Sequence, residues 1–266
     1  MNRFESITKL VLWSTTLLLA AIVAGCGGGD GVPGAKAGKV GATCSGTGCV
    51  NLGTAANYTI LAKTGVSSVP NSVVTGNIGL SPAARTFLTG WSLITEPTDT
   101  SFGSAQVSGR LFAADNVGGT TSVNLTTAVG DMQTAYTTAN GGAAGAACPG
   151  TGNFGGLTVT TGVYDCAVNV GIATTMYLSG SNTDVFVFRI TGTLTQAAAT
   201  QVTLQGVLPQ NVFWVVSQGV NIGTTATMNG VILGKTNIAL GANSTENGRL
   251  LAQTAVTLNQ ATITPP

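Results

Sequence analysis

The sequence predicts a mainly β protein: a three-sided parallel β-solenoid, or β-helix, with one α-helix packed along one side. Two observations predict this fold. The C-terminal part of the chain repeats itself, and each copy holds three short strand-like pieces separated by Gly, Asn or Ser. Residues 125–139, outside the repeat, carry apolar residues at helical spacing.

The repeat has four copies, which begin at Val185, Val212, Val231 and Arg249. The last three copies start 19 and 18 residues apart, and residues 207–211 are an insertion before the second copy. A fixed repeat of about this length is typical of solenoids, in which each repeat contacts only its neighbours. Each copy is therefore interpreted as one coil with three sides.

The first piece of each copy is apolar without alternation, as in VFWVVS and VILG, which is typical of a strand buried on both faces. Such a side must be covered from outside, and a helix over residues 125–139 is the natural cover. Gly141 and Gly142 end the helical run. Its apolar positions recur at helical spacing: Leu125, Ala128, Val129, Met132, Ala135 and Tyr136. The alternative, a helix without a docking role, would leave apolar area exposed on both partners.

The second and third pieces alternate between apolar and small polar residues, so one set of side chains points inward and the other outward. The second piece predicts one outward file: Thr193, Asn221, Ala239 and Thr257. The third piece predicts two outward files: Thr203, Thr227, Thr245 and Thr262 in one, and Gln205, Asn229, Asn247 and Thr264 in the other. Glu246 takes an inward slot in the third piece, where neighbouring coils carry Leu204 and Met228.

The composition excludes several classes of function. The chain has no histidine, only 7% charged residues and a formal net charge of +1. Groups for proton transfer, metal binding and phosphate binding are therefore scarce, and we expect no enzyme, no cofactor and no metal site. A near-neutral chain also lacks the basic surface that nucleic-acid binding needs. With 44% hydrophobic residues, the chain can nevertheless bury a sizeable core.

The carboxylates do not form a catalytic or calcium-binding pattern. The aspartates are scattered, and most lie at predicted turns, where Asp accepts local backbone hydrogen bonds. They are Asp99, Asp115, Asp131, Asp165 and Asp184. A polysaccharide lyase or hydrolase on a solenoid would need clustered carboxylates or a basic residue in a groove. Neither the Asp-x-Asp-x-Asp spacing nor a glycine-rich calcium repeat occurs.

The N-terminus has the pattern of an export signal. Arg3 and Lys9 precede an apolar stretch that ends in Val-Ala-Gly-Cys at Cys26, which resembles the bacterial lipobox. A transmembrane anchor and a plain secretory signal are the alternatives, but the stretch is short for a spanning helix. We expect a signal peptide over residues 1–25, a lipidated Cys26 with a flexible Gly-rich linker over 26–49, and one domain over 50–266. The protein would be exported and either lipid-anchored to the cell envelope, at the outer membrane in a Gram-negative host, or extracellular.

The remaining cysteines are even in number: Cys44, Cys49, Cys148 and Cys166. In an oxidising compartment this count predicts disulfides, and the local pairings Cys44–Cys49 and Cys148–Cys166 are preferred. A metal site is the alternative, but the thiols lack paired Cys-x-x-Cys spacing and there is no histidine.

Several segments resemble one known family. They are VNLGTAANY at 50–58, ILAKTG at 60–65, TGNIGLSP at 75–82, DMQTAY at 131–136 and NGRLLAQTAVTL at 247–258. Together they resemble the ice-binding proteins of bacteria, fungi and algae, over roughly residues 50–266. The resemblance implies a discontinuous right-handed β-solenoid with an adjacent α-helix. It also implies adsorption to ice through one flat face of small residues such as Thr, Ala, Ser and Asn. We expect the protein to be a monomer.

The outward files fit such a role. Successive coils stack at about 4.8 Å, so outward threonines form a regular array of methyl and hydroxyl groups. The file through Thr227 carries threonine in all four coils and is favoured over the file through Ala239. The alternative is that threonine is simply favoured in strands. A surface adhesin or polysaccharide-binding solenoid is the rival function, but sugar platforms need exposed aromatic residues, and Trp214 lies in the buried piece.

Overall fold

The computed structural model describes residues 43–44, 48–69 and 71–266. The predicted signal peptide, Cys26 and most of the predicted linker lie outside these residues. Within the described part of the chain, no helix is both long and apolar enough to span a bilayer.

The described chain consists of short strands, one α-helix and four short 3-10 turns. The helix α1 covers Thr121–Asn140, and the 3-10 turns cover Gly53–Asn57, Arg85–Phe87, Pro149–Gly152 and Pro209–Asn211. The strands are β1 (Ile60–Ala62), β2 (Gly65–Val69), β3 (Val73–Val74), β4 (Ile78–Leu80), β5 (Leu88–Thr89), β6 (Ile94–Thr95), β7 (Phe102–Gly103), β8 (Leu111–Ala113), β9 (Ala146–Ala147), β10 (Thr158–Val159), β11 (Gly162–Cys166), β12 (Val170–Ile172), β13 (Met176–Ser179), β14 (Phe186–Ile190), β15 (Leu194–Gln196), β16 (Val202–Gln205), β17 (Val212–Val216), β18 (Val220–Ile222), β19 (Thr227–Gly234), β20 (Ile238–Leu240), β21 (Thr245–Ala252), β22 (Ala255–Asn259) and β23 (Thr262–Thr264).

These strands stack into the three sides of a parallel solenoid, which confirms the predicted fold class. The first side runs β9, β11, β14, β17, β19, β21, β1, β4 and β8, with the antiparallel strands β7 and β6 at its end. The second side is a seven-stranded sheet in the order β12, β15, β18, β20, β22, β2 and β5. The third side contains β10, β13 and β16, then the N-terminal halves of β19 and β21, then β23 and β3.

The coils do not stack in chain order. β1 near the start of the described chain pairs in parallel with β21, with Ile60 opposite Leu250, and with β4 on its other edge. The coils of β4 and β8 therefore extend the stack beyond the last C-terminal coil. α1 then links β8 at one end of the sheet to β9 at the other. This is the discontinuous solenoid that the family resemblance implied.

α1 covers the first side, as predicted. The buried helix residues form one cluster with the outward side chains of the first side, among them Phe213, Val215 and Leu233. All five residues of β17 are buried, because the inward Trp214 belongs to the core inside the coils while Phe213 and Val215 contact the helix cluster. The helix begins at Thr121, earlier than the start at Leu125 that the apolar spacing indicated. Thr121 is itself buried in the first turn.

The N-terminal segment is fixed against α1. The Thr54 backbone N–H and hydroxyl both donate to Asp131 Oδ2, at 2.7 and 2.6 Å. The buried Arg249 donates through Nε to the Ala56 carbonyl at 3.2 Å, and burial lowers its pKa to about 10. Both predicted disulfides, Cys44–Cys49 and Cys148–Cys166, are present.

Glu246 occupies the inward slot that the repeat predicted for it. It lies between Met228 and Ile263 in the register of the third side and has no solvent exposure. Neither carboxyl oxygen has a hydrogen-bond partner among the described residues. Burial raises the pKa of this carboxyl well above its usual range, so the fold favours the neutral form of the side chain.

Candidate functional site

The outer surface of the second side, here called the second face, belongs to a continuous sheet of seven parallel strands. Its inward residues are all buried, from Val170 at one end to Leu88 at the other. The outward residues between them form one file across all seven strands. In spatial order that file is Gly171, Thr195, Asn221, Ala239, Thr257, Ser67 and Thr89.

The second face is even and uncharged. Every residue of its central file is small, and at about 4.8 Å between strands the file extends about 29 Å over seven strands. Thr195, Asn221, Thr257 and Thr89 are exposed, and the other members are half-buried. The Ser67 hydroxyl donates to the Thr257 hydroxyl at 3.2 Å, which links the N-terminal coil to the C-terminal one across the face.

One residue of the predicted second-side file is misplaced. Leu194 pairs with Val220, so Thr195 rather than Thr193 lies beside Asn221. The predicted file implied that Leu194 lies level with Ile222. That arrangement would have put an apolar side chain in this core position. In the structure Gln196 fills the slot level with Ile222, and its buried Nε2 donates to the carbonyls of Thr200 and Thr227, both at 3.1 Å. The predicted positions of Asn221, Ala239 and Thr257 are confirmed.

The outer surface of the third side, here called the third face, departs further from prediction. Thr227, Thr245 and Thr262 do share a file, but Gln201 and not Thr203 stands beside Thr227. The inward residue level with Met228 is accordingly Val202, two positions before the predicted Leu204. The first copy keeps one constant register with the next on all three sides, with Phe186 opposite Val212, Leu194 opposite Val220 and Gln201 opposite Thr227, whereas the prediction had used different offsets for its second and third pieces.

The second predicted file of the third face changes in the same way. Asn229, Asn247 and Thr264 share a file, but Gln205 lies beside Ser179, outside it. The amides are used within the protein: Asn229 Nδ2 donates to the Val202 carbonyl at 2.7 Å, and Asn247 Nδ2 donates to Asn229 Oδ1 at 3.0 Å. The third face is therefore less regular, and Tyr177 stands beside Thr203 in its first strands.

The sequence reasoning missed four members of the central file of the second face: Gly171, Thr195, Ser67 and Thr89. Gly171 lies on β12, which precedes the first of the four repeat copies. Thr195 was lost through the register of one coil. Ser67 and Thr89 belong to β2 and β5, which join the sheet beside β22, a strand almost 200 residues away in the chain. No repeat signal relates these strands to the C-terminal copies, so only the structure shows that they extend the same file.

Several charged side chains form ion pairs within the protein. Arg85 pairs with Asp99 at 3.0 Å and Asp115 at 2.9 Å, and this guanidinium lowers the pKa of the Asp99 carboxyl. The other pairs are Arg110 with Glu96 and Arg189 with Asp165. Within the described part of the chain, no group of three or more His, Cys, Asp or Glu residues could hold a metal ion.

A family model described as Ice-binding-like matches residues 60–264. The chain belongs to this family. Among curated relatives of the family, ice-binding protein K3-B1 of Typhula ishikariensis is 45% identical over 202 residues, covering 74% of this chain and 81% of the relative. The ice-binding protein of Flavobacterium frigoris (strain PS1) is 39% identical over 227 residues, which cover 82% of this chain and 76% of the relative.

Solved structures of family members show the same fold. The glycosylated ice-binding protein LeIBP from an Arctic yeast superimposes with a TM-score of 0.79 at 38% identity, covering 82% of this chain and 94% of that one. The DUF3494 domain of ice-binding protein 1 from Shewanella frigidimarina superimposes with a TM-score of 0.73 at 26% identity. The superposition covers 80% of this chain and 96% of that domain's chain.

Proposed function

We propose that the protein adsorbs to ice through the second face, inhibiting ice growth or recrystallisation. The observation that carries this proposal is the file of small, uncharged residues that crosses seven parallel strands without interruption. The names of the relatives and of the solved structures, all ice-binding proteins, support ice as the partner. No enzymatic step is proposed.

The geometry supports adsorption in two ways. The in-register strands repeat outward groups at about 4.8 Å, a spacing set by the backbone, so the face presents a periodic surface to a periodic solid. The buried residues beneath it hold this surface rigid, so many weak contacts form together at a small ordering cost. Threonine methyls disfavour liquid-like hydration, while the hydroxyl and amide groups can anchor ordered waters.

The second face, rather than the predicted third face, is the better candidate. The central file of the second face has an outward residue in each of seven coils. The third face is interrupted by Tyr177, and its Asn229 and Asn247 amides are occupied by bonds within the protein. The predicted files through Thr227 and through Asn229 thus become the second choice.

A pair of matched substitutions tests this assignment. Ala239→Tyr places a ring at the centre of the second face between the buried Ile238 and Leu240, and we expect it to abolish thermal hysteresis and incorporation into a growing ice hemisphere. Thr227→Tyr, on the third face, should leave both nearly unchanged. Equal melting temperatures would show that both variants are folded.

The opposite pattern would move the site to the third face. If neither substitution reduced ice adsorption in a folded protein, the C-terminal coils would not carry the ice-binding surface and the proposed function would fail.

The rival function, a polysaccharide-binding or adhesive solenoid without ice affinity, has weaker support. Both tryptophans of the described chain, Trp91 and Trp214, are fully buried. Trp91 donates through Nε1 to the Val66 carbonyl, and Trp214 to the Asn229 carbonyl, each at 3.0 Å. They are therefore core residues with satisfied donors, and no tryptophan of the described residues forms a sugar platform.

We further propose that the protein is exported and tethered through a lipid on Cys26, as a monomer. The support is the lipobox resemblance together with the path of the described N-terminal residues. Val50 and Leu52 are buried in the helix cluster, and Thr54 bonds to Asp131 of α1. The first described residues of the domain therefore lie against α1 and not on the second face.

Lipidation can be tested by phase partition. The mature protein should enter the detergent phase, whereas Cys26→Ala should stay in the aqueous phase with unchanged ice adsorption. A Cys26→Ala protein that remained fully membrane-bound would contradict the tether.

A further inference from the structure

One bulky residue interrupts the small residues of the second face. A second outward file lies beside the central one, and its register follows from the paired strands. In spatial order it runs Asn169, Thr193, Gly219, Asn237, Ala255, Gly65 and Phe87. Phe87 stands at the β5 end of the face with 56% of its surface exposed.

The position of the ring follows from its neighbours in the chain. Leu88 points inward and is only 5% exposed, so the residues on either side of it, Phe87 and Thr89, project from the outer surface. Gly65 lies next to Phe87, and a Cβ on Gly65 would be 3.9 Å from the Phe87 Cβ. A phenyl ring reaches farther from the sheet than any other residue of these two files.

The segment that carries Phe87 is held in place. Phe87 ends the 3-10 turn Arg85–Phe87. Arg85 donates from its backbone N–H to Asp115 Oδ1 at 2.8 Å and from its guanidinium to both Asp99 oxygens, at 3.0 and 3.1 Å. Its guanidinium also lies 4.7 Å from the Phe102 ring centroid. With its turn anchored at several points, Phe87 cannot be moved aside by a large shift of the backbone.

We propose that Phe87 limits the contact with ice to the six strands from β12 to β2. Its ring holds the β5 strand, including Thr89, away from a flat ice surface. This inference rests on the proposed function of the second face. It predicts that a smaller residue at position 87 adds a seventh strand to the contact and increases the contact area by about one sixth.

The test is a size series at position 87 in the full chain. Phe87→Ala and Phe87→Thr should raise thermal hysteresis at every protein concentration, by about one sixth or more, and Phe87→Trp should lower it. Ile94→Ala is the matched control, because Ile94 is exposed to a similar extent, 62%, but lies on β6 at the end of the first side. This control should leave activity unchanged.

The outcomes separate this inference from the proposed function. Activity that is unchanged or reduced in folded Phe87→Ala and Phe87→Thr overturns the limiting role, and a reduction would make the ring itself an ice contact. If Ala239→Tyr abolishes activity in the same assay, the second face remains the ice-binding surface whatever the series shows. If Ala239→Tyr is silent, the proposed function of this face fails independently.

Discussion

Replacing Glu246 with methionine should stabilise the solenoid. The carboxyl lies fully buried between Met228 and Ile263, and its two oxygens have no hydrogen-bond partner among the described residues. Burying a neutral polar group without a partner costs about 1–3 kcal/mol. Methionine has a similar length, is tolerated at the same level one coil away, and removes that cost. For a domain of this size, a gain of about 2 kcal/mol raises the melting temperature by about 4–8 °C.

The same carboxyl gives the prediction a pH dependence. Its pKa is raised in the fold, so the fold binds the proton more tightly than the unfolded chain does. The stability that this proton contributes is fully present below the unfolded value, near 4.5, and is lost as pH rises from there through the folded pKa. The advantage of Glu246→Met over the natural protein should therefore widen from pH 4 to pH 8.

Calorimetry of both proteins across this pH range measures the effect. Glu246→Gln is the control: it cannot ionise, so it should flatten the pH dependence, but it keeps an unpaired polar group and should gain less stability. A Glu246→Met protein that melts below the natural one at pH 7 would refute the reasoning, because it would show that the carboxyl makes a net stabilising interaction.

Two further predictions concern what holds the coils and the helix together. Met132→Asp places an unpaired charge in the buried cluster between α1 and the first side, where Met132 is 1% exposed, and should lower stability by about 3 kcal/mol or more; an unchanged melting temperature would contradict the docking of α1. Replacing Cys148 and Cys166 together with serine opens a loop of sequence separation 18 and should cost about 3 kcal/mol in urea unfolding, whereas equal unfolding midpoints with and without the bond would mean that it adds nothing.

The C-terminal coils could be predicted from the sequence because a parallel solenoid repeats its burial pattern in every turn. The apolar first piece required a cover on its outer surface, and the spacing of Leu125, Met132 and Tyr136 supplied one. Even the exceptional Glu246 was placed correctly, since its neighbours Met228 and Ile263 fixed the register from both sides.

The remaining errors have a common physical cause. The alternation of apolar and polar residues shows which side chains face inward. Shifting one strand by two residues against its neighbour preserves that alternation, so the pattern alone does not fix which residues of adjacent coils are paired. Thr193 and Thr203 were both misplaced by this amount. Hydrogen bonds decided the register: Gln196 can be buried because the carbonyls of Thr200 and Thr227 accept from it.

The second face also crosses the place where the beginning of the described chain meets its end. Between β22 and β2, five residue pairs from Gly65 opposite Ala255 to Val69 opposite Asn259 keep the outward file continuous. No covalent connection of a few residues enforces this register, unlike that between successive C-terminal coils. It depends instead on the first-side pairing of β1 with β21 and on the contact of Thr54 with Asp131 of α1. α1 also packs on the outer surface of the first side, against β17 and β19. The helix that covers the apolar side therefore also holds the N-terminal coil in register. By doing so, it maintains the periodicity of the proposed ice-binding face.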